Sequence, residues 1–159
     1  MDCRQKLETY LRENGVGFEV REHPAAFTAQ QVAAAEHVPG RRFAKVVMVK
    51  ADDQLHMLVM PAPERVDRQR ARMALGAKEF HIASESDFSA TFADCDLGAM
   101  PPFGNLYGVP VVVDASLGEY ELMTFQAGTH TTTMTIPYKE FIRLVQPKVI
   151  ELGVQPART

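Results

Sequence analysis

The chain has 159 residues, which is the size of one average domain, so a two-domain enzyme with a separate cofactor module is not expected. Hydrophobic residues make up 46% and charged residues 23%, a balance that excludes a disordered or fibrous chain. The net charge of −3 excludes a surface that is basic throughout, so any contact with nucleic acid has to be local.

Polar caps and apolar periodicity predict the helices and strands. Asp2 with Gln5 and Thr28 with Gln31 have the spacing of capping boxes, and Asp67 and Ser84 are further candidate caps. In chain order the predicted elements are a helix over 3–14, a strand over 18–21, a helix from Thr28 that ends before Pro39, a hairpin over 43–50 and 55–60, short helices over 68–75 and 85–92, strands over 109–113, 121–125 and 131–136, and a last helix with Pro137 at its first position.

The order of these elements predicts the fold class. Helices and strands alternate at first and consecutive strands follow, which is typical of a mixed sheet in an α/β or α+β domain. The tail from Val149 onward is expected to be loose. The longest uncharged stretch, residues 97–113, is broken by prolines and glycines, so we expect no membrane-spanning helix.

The two cysteines, Cys3 and Cys95, lie far apart in the sequence and form no Cys-x-x-Cys motif. Asp94 and Asp96 flank Cys95, and their negative charges oppose formation of a thiolate. We therefore predict plain structural thiols and a reducing compartment, the cytoplasm.

Sequence motifs for the common catalytic sites are absent. The chain has no H-E-x-x-H, G-x-S-x-G, P-loop or G-x-G-x-x-G motif, and its five histidines do not form pairs with metal-ligand spacing. We expect neither a metal nor another cofactor.

Three weaker features remain, each with two interpretations. Lys45 interrupts an apolar strand and either reaches solvent from a sheet edge or points into a functional cavity. The loop over 96–105 is either a connector or a rigid segment that aims backbone N–H groups at an anion or a carbonyl oxygen. Gly128-Thr129-His130 is either a hairpin turn or a turn that holds a histidine at a pocket mouth.

Together, these features resemble the YbaK/ProX family of aminoacyl-tRNA editing domains, which also occur inserted in bacterial prolyl-tRNA synthetases. The resemblance covers about residues 5–145, and its matching pieces are His23-Pro24, Thr28, Ala33, Ala44-Lys45-Val46-Val47, Gly98 to Pro102 running into Phe103-Gly104, 111–114 and 128–130. It implies a single domain with a mixed, mostly antiparallel, barrel-like sheet flanked by helices. It also implies hydrolysis of the ester that joins a wrong amino acid to tRNA.

Two departures leave the amino acid open. Val46 stands where alanyl-editing members have asparagine, and the 128–130 turn differs from the glycine- and lysine-rich segment of cysteinyl-editing members.

The resemblance implies Lys45, Gly98 and His130 as catalytic residues. The expected substrate-binding residues are Phe27, Thr28, Gln31, Ala99, Met100, Pro101, Pro102, Gly128 and Thr129. The bulk of Phe27 and Met100 favours a small or polar amino acid, with hydrogen bonds available from Thr28 and His130.

Arg65, Arg68 and Arg72 have the spacing of one helix face. They predict either a basic stripe for the tRNA acceptor stem or a solvated surface balanced by Glu64 and Asp67.

Three functions remain open at this point. The leading one is a trans-acting aminoacyl-tRNA deacylase, with the aminoacylated tRNA end as partner and an aminoacyl-tRNA synthetase as a further candidate. The alternatives are a catalytically silent module that binds tRNA or an aminoacyl-adenylate, and a hydrolase of small esters.

Overall fold

The computed structural model describes residues 1–24, 28–35 and 38–154; Phe27, a predicted site residue, lies outside them. The helices in these ranges are α1 (Cys3–Glu13), α2 (Ala29–Ala35), α3 (Arg68–Ala74), α4 (Glu85–Phe88) and α5 (Tyr138–Val145). The strands are β1 (Glu19–Glu22), β2 (Ala44–Ala51), β3 (Gln54–Pro61), β4 (Arg65–Val66), β5 (Phe80–Ile82), β6 (Val111–Asp114), β7 (Leu122–Gln126), β8 (Thr132–Pro137), β9 (Lys148–Ile150) and β10 (Gly153–Val154).

Local capping explains where the helices begin. The Asp2 carboxylate accepts from the Gln5 N–H at 2.8 Å, and the Gln5 side chain accepts from the Asp2 N–H at 3.1 Å. Thr28 and Gln31 form the same reciprocal pair before α2. These bonds satisfy N–H groups that the first turn of a helix leaves unpaired, and they confirm the predicted starts.

A five-stranded mixed sheet has the order β5-β2-β3-β6-β9. The predicted hairpin is its centre: β2 and β3 pair antiparallel, with Lys45 opposite Met60. β6 then runs parallel to β3, and β9 runs parallel to β6. The sheet is therefore mixed, as the order of predicted elements indicated.

A second, antiparallel sheet has the order β1-β8-β7. A parallel bridge between Phe43 and Thr124 connects its β7 to the beginning of β2. The main core contains Met48, Met57, Phe125 and Met134, together with Phe103 and Phe141. The described strands form two joined sheets and a separate β4–β10 pair, and they do not close into a barrel, but the mixed, mostly antiparallel α+β class is confirmed.

The prediction of a loose tail from Val149 is wrong for the residues that the structure describes. β9 extends the larger sheet, β10 pairs with β4, and Leu152 between them is fully buried. Short strands of this kind gain their stability from partners distant in the sequence, so the local pattern does not reveal them.

The prediction of plain thiols is also wrong. Cys3 and Cys95 form a disulfide, with their Cα atoms 5.0 Å apart. The Cys3 N–H donates to the Asp94 carbonyl at 3.1 Å, so the start of α1 lies directly beside Cys95. The two sulfurs come together through a tertiary contact, and the spacing of the cysteines in the sequence does not reveal this contact.

Among the described helices, none is long and apolar enough to cross a membrane.

Candidate functional site

Strand register identifies the polar side chains that share one face of the sheets. Thr124 pairs with Thr135 and Gln126 with Thr133, and paired residues project to the same side. Because Phe43 pairs with Thr124, Lys45, two residues farther along β2, belongs to this side as well. We call the side that carries Lys45, Gln126 and Thr133 the polar sheet face. Val32 and Ala33 of α2 pack against Phe43, so α2 covers one end of it.

Lys45 is half-buried in β2, where it pairs with Met60 of β3; the other neighbour, β5, pairs only with the far end of β2, Val49 to Ala51. Its Nζ donates to the Glu64 carbonyl oxygen at 2.5 Å. Burial lowers the pKa of the Lys45 ammonium, and the nearby Glu64 carboxylate partly opposes this effect. Lys45 lines a cavity of about 480 Å³ together with Arg65, Val66, Arg68, Ile82 and Val154. The structure therefore favours the cavity interpretation of Lys45 over the edge-strand one.

The three predicted tRNA-binding arginines do not share one helix face, and that prediction is wrong. Arg65 lies in β4, because this segment pairs with the unforeseen β10. Arg68 begins α3, and Arg72 near its end donates to the Ala77 carbonyl at 3.2 Å. Arg65 and Arg68 nevertheless meet at the Lys45 cavity, whereas Arg72 is not among its lining residues.

The two arginines at the cavity have no acidic partner among the described residues. The carboxylates expected to balance them are engaged elsewhere: Glu64 pairs with Arg41 at 3.4 Å and Asp67 with Arg70 at 3.4 Å. Three cationic side chains around one cavity, with the neighbouring acids otherwise paired, produce a local positive potential in a chain of negative net charge.

The Gly98 loop and the 128–130 turn are in contact, as a shared site requires. Gly98 has a φ of +85°, and a Cβ at this position would lie 3.4 Å from His130 Cε1. His130 Nε2 lies 2.9 Å from the Leu97 carbonyl oxygen. Because a carbonyl can only accept, Nε2 carries a proton and donates it. Two further bonds, Asp96 N–H to Gly128 O and Gly128 N–H to Ala99 O, join the segments, each at 2.9 Å.

The remaining loop residues contribute backbone groups to the candidate site, because their side chains are buried. Ala99, Met100, Pro101 and Pro102 are buried, and Met100 packs in the main core. The backbone N–H groups of Gly98 and Met100 make no hydrogen bond to another described residue. Donors of this kind suit a carbonyl oxygen that gains negative charge.

Three predicted substrate-binding side chains already have partners in the protein. The side chains of Thr28 and Gln31 form the α2 capping box. Thr129 Oγ1 donates to Thr132 Oγ1 at 2.8 Å, which in turn donates to Glu22. The structure therefore places Thr28 and Gln31 at the start of the helix that covers the polar sheet face.

The Lys45 cavity and the His130 turn lie at different distances from the bridge that joins the two sheets. From that bridge β2 reaches Lys45 after two residues, and β7 ends at Gln126 after two residues, so the 128–130 turn follows beyond its end. Gln126 is therefore as far along β7 as Lys45 is along β2, and it precedes the 128–130 turn by two residues.

The predicted site residues did not include two buried polar residues at this place. Gln126 and His23 are each only 8% exposed, and Nε2 of each side chain has no hydrogen-bond partner in the described part of the chain. The His23 N–H donates to the Thr131 carbonyl at 2.8 Å, which holds this histidine beside the 128–130 turn. The signal for Gln126 was available: like Lys45, it is a polar residue next to apolar strand residues.

Fold and geometry define a class first: an α+β domain whose cationic cavity lies near a glycine loop and a histidine, an arrangement suited to an anionic ligand that carries a carbonyl group. No group of residues in the described ranges has the make-up of a metal site. The family model of the aminoacyl-tRNA editing domain matches residues 23–144, and the chain belongs to this family.

Solved structures share the fold at low sequence identity. One, described as a "putative trans-editing enzyme for prolyl tRNA synthetase", is 21% identical with a TM-score of 0.83, over 96% of this chain and 97% of its own. A scaffold used for grafting linear epitopes is 21% identical with a TM-score of 0.84, over 97% and 98% of the two chains. A hypothetical protein is 16% identical with a TM-score of 0.85, over 94% and 99%. A comparison with curated proteins finds no significant match.

Proposed function

We propose that the protein is a trans-acting aminoacyl-tRNA deacylase that hydrolyses the ester of a mischarged tRNA. Membership of the editing family supports the reaction class. The observation that carries the proposal is the cavity lined by Lys45, Arg65 and Arg68, whose arginines lack acidic partners in the described part of the chain. An RNA end brings phosphates to such a site, and their binding does not require a basic surface elsewhere.

The proposed chemistry divides between the two groups. The cationic cavity holds the terminal phosphates, which positions the ester relative to the Gly98 loop. Backbone N–H groups of that loop stabilise the oxyanion as water attacks the carbonyl carbon, and one proton of this water is available to the departing ribose oxygen. The His130 ring, held through its Nε2 proton, orients the attacking oxygen. The bond to the ribose oxygen then breaks, and this oxygen takes up a proton as the free amino acid leaves.

Hydrolysis by this arrangement of cavity, loop and histidine does not need a nucleophilic side chain. An ester to a ribose hydroxyl is already an activated bond, and one oxyanion donor contributes ~2.7–4 kcal/mol to lowering such a barrier. Editing is needed because a binding pocket separates amino acids that differ by one methylene by only ~1–3 kcal/mol.

For the substrate we propose a small or polar amino acid on tRNA. Thr28 is engaged in the α2 cap, so we propose Gln126, together with His130, as contacts of the aminoacyl group. The similar structure described as an editing enzyme for prolyl-tRNA synthetase makes tRNA for proline the first to test, and that synthetase a candidate partner. We propose the cytoplasm as the place of action, because charged tRNA is used there.

The test is a deacylation screen. The protein is incubated with tRNA for proline charged with alanine, serine, threonine, cysteine or phenylalanine, and the released amino acid is measured. We expect release of one of the four small residues and slower release of phenylalanine. Salt-dependent tRNA binding without release would instead support a silent binding module, and equal turnover of aminoacyl esters without the tRNA body would support a hydrolase of small esters.

A further inference from the structure

Gln126 at the end of β7 has no structural task that accounts for its polarity. Its side chain is 8% exposed, and its Nε2 donates to no group in the described ranges of the chain. A buried donor without a partner costs free energy, and folded proteins rarely retain one without a reason. Elsewhere in the same two strands the requirement is met: the hydroxyls of Thr124 and Thr135 lie 2.8 Å apart and bond to each other.

The position of Gln126 connects it with both parts of the proposed site. It follows Thr124 by two residues and therefore lies on the polar sheet face beside Lys45. It precedes by two residues Gly128, which is bonded to the Gly98 loop through Ala99. Gln126 is thus level with Lys45 on this face and lies next to the turn that contacts the Gly98 loop.

The chemistry of the amide defines what it would bind. A side-chain –NH₂ can only donate, so its ligand has to offer an oxygen acceptor. Between the phosphates and the amino acid side chain of an aminoacyl-tRNA, two such oxygens are available, the ester carbonyl and the neighbouring ribose hydroxyl. The cavity cations would pair with phosphate and leave these neutral oxygens to a neutral donor.

We propose that Gln126 is a substrate-binding residue that donates from its side-chain amide to an oxygen at the junction between ribose and amino acid. The inference rests on the proposed deacylase function and adds to it a residue on which recognition of the ester depends. It also gives Nε2 a partner in the complex that the described residues of the free protein do not provide.

Two variants test the proposal by steady-state deacylation and by thermal unfolding. Gln126→Met keeps the length of the side chain and removes the donor, whereas Gln126→Glu replaces the donor with an acceptor. We expect kcat/KM to fall about tenfold for Gln126→Met and further for Gln126→Glu. The Tm of Gln126→Met is expected to equal or exceed that of the wild type, because the buried unpaired amide is gone.

Matched controls separate binding from stability. Gln54→Met makes the same change at an exposed residue at the far end of the β2–β3 hairpin and should leave kcat/KM unchanged. Thr124→Val removes a buried hydroxyl that has a partner and should lower the Tm. A kcat/KM of Gln126→Met within twofold of the wild type, or a Tm lowered as in Thr124→Val, would overturn the proposal.

A second substrate distinguishes the two oxygens. With a terminal 2′-deoxyadenosine, the difference in kcat/KM between wild type and Gln126→Met should disappear if the ribose hydroxyl is the acceptor, and persist if it is the carbonyl. Failure of the underlying function has a different signature, because the wild-type protein would then release no amino acid from any charged tRNA.

Discussion

At the scale of single residues, the site depends on groups that local folding requirements do not account for. Among the described residues Arg65 and Arg68 lack acidic partners, Gln126 lacks an acceptor for its amide, and Gly98 adopts a backbone conformation that side chains disfavour. Folding alone does not explain such features, because each of them costs stability or contributes none. A ligand that provides phosphates and a carbonyl oxygen would give the two arginines and the amide their partners.

Gly98→Ala tests the loop against a control with the same backbone strain. Gly98 and Gly15 have φ values of +85° and +72°, and a Cβ would meet another described residue, His130, at Gly98 but not at Gly15. Each alanine should lower the free energy of unfolding by ~1 kcal/mol, because both force a left-handed conformation. Only Gly98→Ala should also reduce kcat, as measured by single-turnover deacylation. Full activity in Gly98→Ala would mean that the loop is a connector.

At the scale of elements, the sequence predicted those helices and strands that are specified by residues close together in the chain. The capping boxes at Asp2 and Thr28 and the β2–β3 hairpin are specified within a few residues, and the structure confirms them. The strands β9 and β10 depend on distant partners, and β10 is the reason that Arg65 lies in a strand. The same limit applies to the site: Lys45 was visible as a charge in an apolar strand, but its cavity became apparent only once β4 and α3 were placed.

The disulfide between α1 and the segment before the Gly98 loop leads to a prediction about stability. It joins residues 92 positions apart, and a long closed loop restricts the unfolded chain strongly. Reduction, or the variant Cys3→Ser, should lower the free energy of unfolding by ~2–4 kcal/mol in a denaturant titration. Quantification of thiols in the unfolded, non-reduced protein should find none. Two free thiols there, or an unchanged unfolding midpoint after reduction, would contradict the prediction.

At the scale of the whole molecule, a chain of net charge −3 has to bind an RNA end through one patch. Removing the positive charges at the Lys45 cavity should therefore weaken tRNA binding strongly, although it changes the net charge of the chain only slightly. Arg65→Gln with Arg68→Gln should weaken tRNA binding and reduce the slope of log Kd against log salt concentration by about 1 for each phosphate that the protein no longer neutralises. Arg70→Gln is the matched control, because Arg70 pairs with Asp67 and Glu151 outside the cavity lining. If Arg70→Gln weakened tRNA binding as much as the double variant Arg65→Gln with Arg68→Gln, the RNA would have to bind outside the Lys45 cavity.

The central claim is that the Lys45 cavity positions an aminoacyl-tRNA ester for hydrolysis, and deacylation by wild type and Lys45→Ala tests it most directly. We expect the wild type to release a small amino acid, Lys45→Ala to lose this activity, and the Tm to stay nearly constant, because burial already disfavours the charged ammonium. Burial lowers the pKa of Lys45, so the folded protein binds this proton more weakly than the unfolded chain, and stability should rise with pH between the lowered pKa and 10.5. The wild-type rate should fall over the same pH range as the ammonium loses its charge. Wild-type turnover by Lys45→Ala on every substrate that the wild type accepts would contradict the claim.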